Sequence, residues 1–331
     1  MVENIRQLKE ITAVLLSAVM DYSAVRNASL AMMELFCNAT DLDKSAAINE
    51  EHIKTASGVA VSTISAVNCI MDMNRNRIFL MGLQDAIEEK LKTNPYEPVI
   101  VLYAGTGPFA TLVSPLTTVF SPAQLQLVLL EINPLSIGYL NKTIQQFGME
   151  PFVMSVIETD AASFIIPDKY QPDIIVSETM MPALRTEPMV AIIANLVSQC
   201  TRNPILIPES VLVEVALMTN IVKPGYKIFP LKQLLELNAG TAISIKNDMV
   251  PLPVFTHGIT VTVDEMPDPS FTSLSLLTTI QVFKTHILHF NKCSLTMPQP
   301  VINLKDISKW PATFRFQYAM GAMPGFVVSR E

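Results

Sequence analysis

Four carboxylates and two glycines stand where a chain of this kind can do chemistry. The apolar run 99–103 leads into Gly105-x-Gly107. Glycines after a strand let the backbone pass close to a ligand, and the amides of a helix opening beyond them can hold a negatively charged group. A second apolar run, 125–130, ends in Glu131. A carboxylate at the tip of that strand can accept both hydroxyls of a ribose, as adenosine-containing cofactors require. A third run, 152–157, is followed by Asp160 and Ala161, placed to reach an adenine edge. The plain alternative is an ordinary strand-to-helix turn flanked by solvated acids. Because Gly105-x-Gly107-x-x-Ala110 also satisfies the looser dinucleotide fingerprint, NAD competes for the same site. The remaining two acids are Glu178, directly after the apolar run 174–176, and Glu187 in the loop that follows.

Three kinds of element must position these residues. Before Pro95 there is no proline and only two of the 11 glycines, Gly58 and Gly82, whereas all 23 prolines lie from Pro95 onward. Residues 1–94 therefore read as a helical N-terminal region, with Ile78, Leu80, Leu83, Ile87 and Leu91 recurring at helical spacing before a stop at Asn94-Pro95. From residue 95 to 208, short apolar runs alternate with helical segments, which predicts a Rossmann-like α/β domain with a parallel sheet and crossover helices. Residues 209–331 are rich in Val, Ile, Thr and Phe with frequent Pro and Gly, and 259–263 and 313–317 alternate at strand period. They predict a β-rich, barrel-like antiparallel domain.

Composition narrows the functions. The net charge of −7, with no block of Lys and Arg, argues against a nucleic-acid partner and favours a neutral or cationic one. Cys37, Cys69, Cys200 and Cys293 lie far apart, without zinc or disulfide spacing, and fit a reducing, cytoplasmic compartment. The stretch 11–20 is broken by Asp21, a poor signal peptide and too short for a bilayer. The uncharged stretch 98–130 is punctuated by Gly and Pro, so no membrane span is expected. His52, His257, His286 and His289 lack metal-ligand spacing, the 18 methionines read as core filler, and no metal is expected. Ser177 lacks the Gly-x-Ser-x-Gly elbow of a hydrolase.

The segment Ser177-Glu178 followed, after eight residues, by Glu187-Pro188-Met189 resembles the double-glutamate hairpin of protein arginine methyltransferases, which are class I S-adenosylmethionine-dependent enzymes. The resemblance spans most of residues 70–215. Asp72-x-x-Arg75, with Phe79 beyond, is similar to that family's N-terminal Asp-x-x-Arg helix, and Ile207-Pro208 to the point where its β-barrel opens. It implies S-adenosyl-L-methionine as cofactor, with its carboxylate on Arg75, its methionine portion along Gly105 to Gly107 after Tyr103, its ribose on Glu131 and its adenine near Asp160 and Ala161. It also implies that Glu178 and Glu187 grip the acceptor, a guanidinium or amine of a peptide or small molecule, by charge-assisted hydrogen bonds. The chain departs from the family pattern where Tyr103 stands for an acid, Phe109 for a third glycine, and Met181-Pro182 for a Met-Gly-aromatic start. The family's Thr-His-Trp loop has Thr285-His286-Ile287 as its nearest counterpart. The other readings are an NAD-dependent oxidoreductase and a catalytically silent assembly platform. The helical region is longer than the cofactor site needs, which suits a lid, a substrate groove or a homodimer contact.

Overall fold

The computed structural model describes residues 1–221, 225–248 and 257–331. The N-terminal region comprises α1 (Val2–Leu15), α2 (Tyr22–Thr40), a small hairpin β1 (Ile53–Lys54) and β2 (Val59–Ala60), then α3 (Thr63–Asn68) and α4 (Met73–Thr93). Side-chain caps set three of the helix starts: Asp21 accepts from the Ser23 and Ala24 amides, Ser62 from Ser65, and Asp72 from Arg75.

A five-stranded parallel sheet follows, made of β3 (Val99–Ala104), β4 (Leu125–Glu131), β5 (Val153–Glu158), β6 (Ile174–Ser177) and β7 (Ile205–Ile207), in the order β5-β4-β3-β6-β7. Its central strand is apolar on both faces, with Val101, Leu102 and Ala104 fully buried. The connections after β3 and β6 leave in opposite directions, so their carboxyl ends open a crevice of the kind in which α/β sheets bind ligands. Helix α5 (Pro134–Gln146) packs on β4 and β5. The wholly buried α6 (Met189–Val197) packs on β6.

The crossover from β3 to β4 departs from expectation. No α-helix follows Gly107; the chain makes turns and one 3-10 turn, Pro115–Thr118. Pro108 and Pro115 cannot donate helical hydrogen bonds, and Ala110 is held at φ +43°. The face left bare is covered by α1 and α2. Phe36 stacks on Phe109 at 5.0 Å and meets Phe147 edge-on at 4.9 Å, while α1 packs on the 3-10 turn. The first two helices thus complete the sheet's own core.

The C-terminal part holds β8 (Ser210–Met218), β9 (Ile228–Leu237), α7 (Ala239–Asp248), β10 (Ile259–Val263), β11 (Ser273–Phe283), β12 (His286–Leu288), β13 (Gln299–Asn303), β14 (Ala312–Ala319) and β15 (Gly325–Arg330). These strands form two antiparallel sheets, β12-β11-β8-β9 with β13 also on β11, and β10-β14-β15. Helix α7 interrupts the all-β expectation: Asn238 caps it through Thr241, and Ala242 and Ile245 bury against α6. Helix α4 packs across both β3 and β11–β12, so close that a Cβ on Gly82 would lie 2.7 Å from Val282 Cγ1. Among the described residues, no helix is long and apolar enough to cross a membrane.

Candidate active site

The turn after β3 needs its glycines. Gly105 sits at φ +79°, and a Cβ there would collide with Thr179 Cγ2. Gly107 sits at φ +61°, with Ala66 of α3 at 3.1 Å from the same hypothetical atom. The second glycine is tied to the second strand, because its amide donates to Glu131 Oε2 at 2.7 Å. Glu131 Oε1 accepts from the Ile132 and Asn133 amides, both at 2.9 Å. Burial raises the Glu131 pKa against the pull of these amides. Glu131 is thereby anchored by three backbone amides. After β5, Asp160 Oδ1 accepts from Ala162 N at 2.9 Å, and Ala161 is buried.

Glu178 emerges from β6 into the interior, where Oε2 accepts from Arg75 Nη2 of α4. Asp72 holds that helix start from two sides, accepting from Arg75 N at 3.3 Å and from Ser294 N at 2.7 Å. Among the described residues, Arg75 Nε and Glu178 Oε1 are buried without a hydrogen-bond partner. Burial pushes the Glu178 carboxyl up to about 7, although Arg75 opposes it. Burial, with the charge of Glu178, pushes Glu187 up to about 8. Burial and then Glu178 raise the Tyr103 phenol, which stays neutral.

All of the residues singled out in the sequence, Arg75, Tyr103, Gly105, Gly107, Glu131, Asp160, Ala161, Glu178 and Glu187, line one cleft. Among the described residues that line it, Arg75 is the single Lys or Arg beside four carboxyl groups. His286 is elsewhere: it begins β12 and pairs with Asp85 of α4 at 2.7 Å. Sequence reasoning missed the hairpin β1–β2, whose flank brings Thr55, Ala60 and Val61 to the cleft, and Cys69 and Ser136, which also line it. Gly58, an isolated glycine in an otherwise helical region, was the available sign of the hairpin.

Solved structures share the fold of this chain. The PRMT1 enzyme-prozyme heterotetrameric complex with AdoHcy of Trypanosoma brucei is 12% identical, with a TM-score of 0.54 over 81% of this chain and 93% of that one. Protein Arginine Methyltransferase 10 of Arabidopsis thaliana is 11% identical, with a TM-score of 0.51 over 76% and 86%. PRMT6 is 10% identical, with a TM-score of 0.55 over 81% and 99%. Their fold is the fold of this chain. No protein-family model and no curated protein sequence matches it. A dinucleotide's pyrophosphate is held by the first turn of a helix after the glycines. Here that place is taken by turns.

Proposed function

We propose that the chain is an S-adenosyl-L-methionine-dependent methyltransferase acting on a nitrogen nucleophile, the guanidinium or amine of a peptide or small molecule. The observation that carries this reading is the convergence, in one cleft at the strand ends, of the glycine turn, Glu131 and the Glu178/Glu187 pair. The fold likeness, which includes a complex with AdoHcy, supports it.

The residues present fit this cofactor. Gly105 and Gly107 line the cleft with bare backbone beside Glu131, no helix N-terminus for phosphate is needed, and the unpartnered Arg75 Nε suits a carboxylate. Arg75, Gly105, Gly107, Glu131 and Asp160 would hold it. When bound, it supplies a methyl group on a positively charged sulfur. The protein's part is to align an acceptor nitrogen with that methyl, and such positioning contributes much of the rate gain in a displacement of this kind. Glu178 and Glu187 orient a cationic acceptor, with Glu178 Oε1 still free to accept a hydrogen bond. A carboxylate whose proton affinity lies near 8, as at Glu187, suits the proton that the nitrogen sheds on alkylation.

The test is transfer of labelled methyl to arginine, alkylguanidines, amines and arginine-bearing peptides. Glu178→Gln and Glu187→Gln, each checked for folding, should lower transfer by about 100-fold or more, the loss expected when a paired charge contact made in the transition state is removed. Undiminished transfer in both variants would exclude them as acceptor ligands.

A further inference from the structure

Thr186, the residue before Glu187, is held by segments from opposite ends of the chain. Its N–H donates to Pro324 O at 2.7 Å in the turn between β14 and β15, and its carbonyl accepts from Val59 N of β2 at 2.9 Å. Its backbone is left-handed, at φ +69°, as are Ala183 and Leu184 before it, at +58° and +56°. Left-handed non-glycine residues cost about 1–3 kcal/mol each and persist where their surroundings impose them. The hairpin is shaped for this contact. Gly58 lies at φ +151°, and a Cβ there would fall 2.8 Å from Thr186 O and 2.9 Å from Pro188 N. The turn before it is closed twice on one carbonyl, by Thr55 N at 2.8 Å and Thr55 Oγ1 at 3.0 Å, both donating to Gly58 O.

We infer that Gly58 and Val59 are positioning residues for Glu187: the N-terminal hairpin fixes the second carboxylate of the acceptor site by clamping the backbone one residue ahead of it. The clamp matters to catalysis only if the acceptor reading above holds, but its own test does not depend on that reading. The Glu187 N–H donates back to Arg185 O at 2.7 Å and closes a tight turn with Thr186 at its centre, and the hairpin that grips this turn forms part of the cleft wall through Thr55 and Ala60. Loosening the clamp should admit water to Glu187, whose high proton affinity comes first from burial.

The experiment is a carboxyl titration by NMR of the full-length protein with 13C-labelled glutamate, the Glu187 signal being identified by its loss in Glu187→Gln. Gly58→Ala forces the hairpin off the Thr186–Pro188 backbone, and Val59→Pro removes the N–H that donates to Thr186 O, so the second carries the test if the first does not fold. In both, the Glu187 midpoint should fall by about one pH unit or more as desolvation is relieved. Affinity for S-adenosylhomocysteine, read by calorimetry, is followed alongside, because the same hairpin lines the cleft through Thr55 and Ala60. A folded variant that keeps the wild-type Glu187 midpoint overturns the inference, and so does a loss of stability and cofactor affinity with the midpoint unmoved. Failure of the wild type to bind S-adenosylhomocysteine would sink the methyltransferase reading while leaving the titration interpretable.

Discussion

Arg75 and Glu178, 103 residues apart in sequence, form an ion pair at the base of the cleft with side chains only 10% and 7% exposed. The pair joins α4 to the end of β6 and thereby couples the N-terminal region to the parallel sheet. Removing one partner of a buried pair leaves an uncompensated charge, which costs about 3–5 kcal/mol, whereas an apolar replacement of both is often nearly neutral. Arg75→Met should therefore lose stability of that order at pH 8, and Arg75→Met/Glu178→Leu should regain most of it in urea unfolding. Equal stability of the single and double variants at pH 8 would show that the pair is not buried as described.

The same carboxyl group and its neighbour give the site a pH dependence. With Glu178 raised to about 7 and Glu187 to about 8, a cationic acceptor displaces protons when it binds. Affinity for an alkylguanidinium, measured with S-adenosylhomocysteine present, should rise between pH 6 and 8 by up to about tenfold per pH unit for each protonated carboxyl, then level off. Stability runs the other way. The unfolded chain sheds these protons near 4.5, before the folded one does, so both groups make the fold less stable as pH rises through the window from there to about 8. Glu187→Gln removes its share, and melting curves should show a higher Tm than wild type at pH 8 with no gain at pH 4.

Gly105 permits a direct steric test. Gly105→Ala combines a left-handed backbone with a collision against Thr179 Cγ2 and should cost about 2–4 kcal/mol. Thr179→Ser deletes the obstructing methyl, so the double variant should recover the steric part while the backbone part, about 1 kcal/mol, remains. Simple additivity in denaturant unfolding would contradict the close approach of these two residues.

The local parts of this architecture were legible in sequence. Apolar runs bounded by Gly and Pro located the strands of the parallel sheet, and each acid expected at a strand end is there, because strand period and turn chemistry are short-range signals. What could not be read depends on contacts distant in the chain. The helix expected after Gly107 is replaced by turns, and the face it would have covered is packed by Phe36 and its neighbours on α1 and α2, far away in the chain. Helix α7 forms within a β-rich stretch because Ala242 and Ile245 have α6 to bury against. The pairing of Arg75 with Glu178 and the anchoring of Asp72 by Ser294 likewise join segments that no periodicity relates. Glu131 was correctly placed at a strand tip, but its capture of the Gly107 amide had no sequence signature.

The central claim is most directly tested by calorimetric titration of the folded protein with S-adenosylmethionine, S-adenosylhomocysteine and NAD, alongside Glu131→Ala. Charge-assisted hydrogen bonds at Glu131 should be worth about 1.5–3 kcal/mol, so the variant should bind the first two about 10- to 150-fold more weakly. Saturable binding of both by the wild type, that weakening in the variant, and no heat from NAD are the results predicted. Binding of NAD alone, or of none of the three to a well-folded protein, would contradict the account.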